Sequence, residues 1–299
     1  MPATSVVFDG PASPGLTLAP WRRGGGNPCY RTGPDGALWL TSLVSGGPVT
    51  ARITKSAPGT VDCETWGPGS AEFLAGFPAL MGADDDAAGF DPVEPTIAEA
   101  HRRVPHLRLG RSGRVLEALI PAIIEQRVSG MDAWRAWRRL VSKYGAPAPG
   151  PAPTGMRVMP SAEVWRRIPS WEFHRANVDP GRARTIVGCA QRADSLERLI
   201  AERAVTALRS LPGVGEWTAA ETVQRAFGDA DALSVGDYHL STVVGRSLLG
   251  HPIDDAAMIE LLEPLRPHRQ RAVRLLEASG LAHNPRFGAR QAIPNLRVI

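Results

Sequence analysis

The sequence predicts an α+β chain, a small β-rich domain followed by a larger all-α domain, on three observations. Short runs of β-formers, TSVVF (4–8), ALWLTSL (37–43), PVTARIT (48–54) and TVDCETW (60–66), lie in the first part and are parted by Gly-, Pro- and Asp-rich turns. From Ser70 the apolar spacing changes from two to three and four residues. Beyond about Pro92 no run reads as a convincing strand.

Each element has a local reason. GPDG before Ala37 and SGGP before Val49 suit hairpin turns. Phe73, Leu74, Phe77 and Leu80 share a helical stripe. The acidic stretch GADDDAAGFDP then divides a domain at 1–91, with one or two helices, from an all-α domain at 92–284. In the second domain Leu116, Leu119, Ile120, Ile123 and Ile124 keep helical spacing, with a kink expected at Pro121. Trp134, Trp137, Leu140, Val141 and Tyr144 form the next stripe, which stops at Gly145. APAPGPAPTG reads as a linker, and Ser161 restarts helical sequence. Further helices are expected near 180–192, 195–208, 216–227, 238–249, 254–263 and 267–279. Residues 285–299, with Pro285, Gly288 and Pro294, read as a loosely ordered tail.

Composition excludes several classes. At 299 residues, 43% hydrophobic and 21% charged, the chain can bury two cores. The opening MPATSVVFDG lacks a basic stretch followed by an apolar run, and LEALIPAII is too short to cross a bilayer and carries Glu117. Cys29, Cys63 and Cys189 are odd in number and far apart, which fits neither a disulfide framework nor a clustered metal site. The reading is a cytoplasmic protein with no metal site and no membrane partner. A net charge of +4 mildly favours an anionic partner. Lysine occurs only at Lys55 and Lys143, every other strong base being arginine.

The most informative string is Leu211-Pro212-Gly213-Val214-Gly215-Glu216-Trp217-Thr218-Ala219. Its glycines open backbone conformations closed to other residues. The turn runs into a helix N-terminus, whose unpaired N–H groups attract anions, so a phosphodiester can sit there whatever its bases. A tight αα-hairpin with no ligand fits the same letters. One helix and a loop later comes Ser234-Val235-Gly236-Asp237-Tyr238, with Asp237 22 residues after Gly215. An aspartate there also suits capping of the next helix.

The two strings in this register resemble the hairpin and catalytic aspartate of the helix-hairpin-helix DNA glycosylases. Ile123-Ile124-Glu125-Gln126-Arg127-Val128-Ser129 resembles the segment that, in the alkylpurine (3-methyladenine) DNA glycosylase II branch, supplies the residue wedged into the duplex. The resemblance is specific from Leu116 to Ala278 and architectural before that. It implies a monofunctional base-excision-repair enzyme. Such an enzyme flips a damaged, alkylated purine such as 3-methyladenine or 7-methylguanine out of double-stranded DNA and hydrolyses its N-glycosidic bond. A monomer in the bacterial cytoplasm, at the nucleoid, follows from the same resemblance.

Residue by residue, the resemblance implies that Asp237 is the catalytic carboxylate. Trp217, Glu221 and Tyr238 would form the base pocket. Gln126, Arg127, Leu211, Gly213, Val214, Gly215 and Thr218 would meet DNA, with Arg127 as the wedge. Relatives that also nick the strand carry a lysine two residues beyond the second glycine; Trp217 stands there, so water is the expected nucleophile. No organic cofactor is required, and hairpin carbonyls would suit a monovalent cation, as in relatives. Glu221 and Glu277 stand where aromatics are expected, and Glu221 would attract a cationic base or bond an exocyclic amine. Arg-Pro-His-Arg at 266–269 reads as a basic helix start facing the backbone, and His239 as structural. The rivals are a non-catalytic damage-binding protein of the same fold and a glycosylase for an oxidised or deaminated base.

Overall fold

The computed structural model describes residues 2–283, so the expected tail at 285–299 lies outside the described residues. Strands β1 (Ala3–Val7), β2 (Tyr30–Thr32), β3 (Leu38–Val44), β4 (Gly47–Ala57) and β5 (Thr60–Trp66) form one antiparallel sheet in the order β1-β5-β4-β3-β2. Alternation selects its buried face: in β5 Val61, Cys63 and Thr65 point inward between half-exposed neighbours. Leu40, Ile53 and Val61 of that face pack with Phe73, Phe77 and Leu80 of the stripe from Ser70. The SGGP turn depends on Gly47, whose φ of 117° is closed to other residues. Strand β2 is too short to show as a pattern and exists because β3 pairs with it.

Helices α1 (Pro14–Thr17) and α2 (Ser70–Leu80) belong to this first unit. The chain continues through α3 (Pro95–Arg103), α4 (Val115–Glu125), α5 (Gly130–Tyr144), α6 (Ala162–Arg167) and α7 (Ser170–Arg175). It then forms α8 (Pro180–Gln191), α9 (Ala193–Leu196), α10 (Ala201–Arg209), α11 (Glu216–Ala226), α12 (Leu240–Leu249), α13 (Asp255–Leu262) and α14 (Arg269–Ser279). Their apolar residues collect in two clusters. One surrounds α4, with Leu119, Ile123, Trp137, Trp165, Ile186 and Val223. The other joins Ile97 of α3 to Met258, Leu262, Leu275 and Leu276.

Three expectations are corrected. The region after Pro92 is not free of strands, because β6 (Ala146–Pro147) pairs with β7 (Arg157–Val158) across the proline-rich stretch. That stretch is not a free linker either. The Thr41 hydroxyl donates to the Arg157 carbonyl at 2.6 Å, the Arg157 N–H to Pro28 at 2.9 Å, and Arg31 to the Thr154 carbonyl at 3.0 Å, pinning it to the sheet. The helix expected at 195–208 breaks into α9 and α10. Between them Glu197 accepts the Val115 and Leu116 N–H groups at 2.8 and 2.9 Å, capping α4 instead of continuing a helix. The acidic stretch between the expected domains is tied down as well. Asp85 forms a buried pair with Arg271 of α14 at 2.5 Å and accepts the Leu109 N–H at 2.9 Å.

The cysteines are all free thiols. Burial pushes Cys29 and Cys63 up to about 12, and Cys189 up to about 11. Since the thiolate is the reactive form, native protein at pH 8 is expected to resist iodoacetamide at all of them and to react fully in denaturant. Labelling of the half-buried Cys29 in the native state would contradict this.

Candidate active site

The hairpin between α10 and α11 is built as its glycines require, though each glycine has a different reason. Gly213 has φ +84°, and a Cβ there would lie 2.0 Å from the Thr185 hydroxyl of α8. Gly215 has an ordinary φ of −90°, and a Cβ there would meet nothing within 4 Å. Gly213 is therefore demanded by packing, while Gly215 keeps an open face. No side chain caps the start of α11. Val214 is buried and Leu211 packs on the α4 cluster, so these side chains point inward, while Pro212 and both glycines are exposed.

Thr218, expected to meet DNA, is 2% exposed. Its hydroxyl accepts the Gln126 amide at 2.8 Å, and the same amide donates to the Gly213 carbonyl at 2.9 Å. Both residues thus hold the hairpin against the end of α4 instead of presenting side chains to a ligand. The next residue, Arg127, is exposed and left-handed at φ 54°. A non-glycine residue in that region is uncommon, and here it turns the chain sharply after α4.

Asp237 sits in the turn between α11 and α12, where the Gly236 N–H donates to Asp255 of α13 at 2.9 Å. Its Oδ1 accepts the His239 and Leu240 N–H groups at 2.8 and 3.1 Å, and its Oδ2 accepts the Trp217 indole N–H at 3.2 Å. Helix capping and carboxylate placement are one arrangement. α12 begins at Leu240, not at Tyr238. Tyr238, expected in the base pocket, is 84% exposed and stacks edge-on with His239 outside the cavity wall.

Asp237 lines a cavity of about 280 Å³. Glu221, Gln224 and Arg225 of α11, Ser234 of the aspartate turn, and Gln270, Arg274 and Glu277 of α14 share the wall. Pro20 and Trp21 from the β-rich unit close another side. Both carboxylates that replace expected aromatics therefore face this space, as does His239, read from sequence as structural. Glu221 is not free to attract a cation. Its Oε2 accepts Arg225 at 2.7 Å and its Oε1 accepts the Ser234 hydroxyl at 2.5 Å. Arg274 pairs with Glu277.

Burial would lower the Arg225 guanidinium, but Glu221 and Glu125 more than reverse that and hold it above its ordinary value. Burial pushes the Glu125 carboxyl upward against the pull of Arg23 and Arg225, with Glu221 and Asp237 adding to the rise. Removing Glu221 would leave the half-buried Arg225 with less compensation and would destabilise this wall.

The cluster at 266–269 does not face outward as a basic patch. Arg269 is buried and pairs with Asp231 at 2.7 Å, Arg266 pairs with Asp231 and Glu263 at 2.7 Å, and His268 is buried. Lys143 pairs with Glu172 at 2.7 Å, and neither it nor Lys55 lines the cavity. Trp21, Gln224, Arg225, Gln270 and Arg274 carry no signal in the sequence beyond the four-residue spacing of Glu221 and Arg225. Among the described residues no group of His, Cys, Asp and Glu could hold a metal ion, and no helix is long and apolar enough to cross a membrane.

No family model matches the chain. It is 30% identical over 195 residues to a probable bifunctional transcriptional activator/DNA repair enzyme AlkA of Mycobacterium tuberculosis, a match spanning 61% of this chain and 37% of that protein. Among solved structures it is similar to a 3-methyladenine DNA-glycosylase from Archaeoglobus fulgidus, with a TM-score of 0.74 at 16% identity, covering 93% of this chain and 98% of the other. It is also similar to an 8-oxoguanine glycosylase/lyase from Clostridium acetobutylicum in complex with double-stranded DNA, with a TM-score of 0.68 at 12% identity, covering 93% and 98%. Over 93% of its length the chain therefore shares the fold of these two glycosylases.

Proposed function

We propose that this protein is a monofunctional DNA glycosylase of base excision repair that acts on a flipped, alkylated purine. The observation that carries the reading is the Asp237 carboxylate, oriented by N–H donors from Trp217, His239 and Leu240 on the wall of a cavity. As the C1′–N bond breaks, its electrons leave with the base and positive charge develops on the sugar. A fixed carboxylate stabilises that charge. Water then bonds to C1′ and passes its proton to Asp237. Trp217 occupies the place where a Schiff-base lysine would act, so an intact strand bearing an abasic site is the product.

The hairpin would hold the phosphodiester through backbone N–H groups on the open face at Gly215, and exposed Arg127 would fill the gap left by the base. A monovalent cation there would rest on backbone carbonyls; those of Leu211 and Gly213 already accept the Val214 N–H and the Gln126 amide. No step in the reading runs through it. Similarity to the 3-methyladenine DNA-glycosylase from Archaeoglobus fulgidus supports an alkylated purine as substrate. Trp21 is the only Phe, Tyr or Trp among the described residues of the cavity wall, and Arg225 and Arg274 pair with Glu221 and Glu277. This favours, as a second reading, a glycosylase for an uncharged deaminated or oxidised base.

Asp237→Asn is expected to lower base release from methylated duplex by at least about a hundredfold. Wild-type product should break only after alkali, and borohydride should trap no covalent complex. If wild type releases no base, the reading fails. Trp217→Phe keeps the ring and loses the donor, so kcat should fall about tenfold while KM holds, as for a hydrogen bond to a charged group. Gly213→Ala should destabilise the protein by about 1–3 kcal/mol in urea unfolding. Gly215→Ala should unfold like wild type yet bind duplex DNA more weakly, and equal DNA affinity would remove the hairpin from the interface.

A further inference from the structure

Among the described residues of the cavity wall, one side-chain amide makes no hydrogen bond. Gln270, Val273, Arg274 and Glu277 recur at helical spacing and line the cavity along one side of α14. Every other side-chain amide, carboxylate or guanidinium among the described wall residues has at least one partner, though the buried Arg274 Nε itself has none. Gln224 donates to the Ala232 carbonyl and to Ser234 at 2.8 and 3.0 Å. Arg225 is held by Glu221 and the Pro20 carbonyl, Asp229 by the Asp231 and Ala232 N–H groups, and Arg108 by the Pro11 carbonyl. Glu277 pairs with Arg274, and Asp237 takes its N–H donors.

Gln270 is 7% exposed, and its side-chain amide makes no hydrogen bond to any described residue. The amide atoms are not among the fully enclosed ones, so a donor and an acceptor stay open to whatever enters the cavity. A side-chain amide sets a donor beside an acceptor. The edge of a purine offers the complement: an amine beside a ring nitrogen on adenine, a carbonyl beside an N–H on guanine. Glutamine pairs with such an edge through two hydrogen bonds at once. Since Trp21 is the only Phe, Tyr or Trp among the described residues of this wall, edge reading has a larger share of recognition to supply.

We propose that Gln270 is a specificity-determining residue, its amide reading the edge of the purine in this cavity through paired hydrogen bonds. The inference rests on the reading that a flipped base enters here. The flanking carboxylates and arginines neutralise one another, so the neutral amide is left to choose among bases by hydrogen-bond pattern.

The test is binding of free adenine, guanine, hypoxanthine, 3-methyladenine and 7-methylguanine to the full chain by saturation-transfer NMR. Wild type would be compared with Gln270→Met, which keeps length and loses both hydrogen-bonding atoms, and Gln270→Glu, which is acceptor-only when ionised. Gln270→Met should weaken the best-bound base about tenfold, the value of a good bidentate pair, with unchanged affinity for a duplex carrying an abasic site. Gln270→Glu should change the ratio of adenine-type to guanine-type binding. The inference is overturned if both variants bind every base as wild type does, or if all bases weaken by one common factor. Base release from DNA is scored separately. Release with Gln270-independent base binding sinks this inference alone, whereas Gln270-dependent binding without release sinks the glycosylase reading alone.

Discussion

Everything at the site is referred to one buried helix. Apart from Glu117, every side chain of α4 from Val115 through Ile124 is apolar and buried, and a helix so nearly apolar all round is stable only in the middle of a core. Its ends cannot be left bare there. Glu197 takes its first amides, and buried Arg182 donates to the Ile124 carbonyl at 2.7 Å. With both ends fixed, the residues that follow the helix have little freedom. Glu125 turns toward Arg23, Gln126 reaches the hairpin, and Arg127 emerges into solvent. The hairpin in turn carries Trp217 to Asp237. A chain of short contacts thus runs from a hydrophobic core to the proposed chemistry.

The polar groups around the cavity follow a different logic. Arg225 is half-buried at the seam between α11 and the β-rich unit, and its compensation comes from Glu221 on the same helix and from the carbonyl of Pro20. A partly buried charge of this kind is kept only where both its Coulomb partner and its hydrogen bonds are supplied. The two carboxylates that stand in place of aromatics are therefore chiefly the partners of two arginines. That changes what the cavity offers a base, from a stacking surface with net charge to a nearly balanced polar wall with one open amide.

What was legible in the sequence was whatever depends on neighbours in the chain. The alternation in β5, the stripe at Phe73, Phe77 and Leu80, the glycines of the hairpin and the aspartate after it are all local patterns, and the folded chain contains each of them. Strand β2 and the pair β6–β7 are made by distant partners and leave no pattern in short runs. Thr218 and Gln126 read as contacts for a ligand because hydroxyls and amides look the same whether they face DNA or each other. The basic string at 266–269 failed for the same reason: charge counts cannot tell a solvent-facing arginine from one meeting Asp231. Gln270 was invisible because a glutamine beside arginines reads as surface.

The β-rich unit contributes to the cavity in a way that separates shape from chemistry. Asn27 accepts the Trp137 indole N–H at 3.0 Å and donates to the Trp21 carbonyl at 3.3 Å, which ties the loop carrying Trp21 to α5. Depth and contour on that side are thus written in a loop about two hundred residues away in sequence from Asp237, with no part in bond breaking. Mutational drift in that loop can reshape what fits while the hydrolytic apparatus stays untouched. For the proposed glycosylase this separates the choice of lesion from the breaking of the bond.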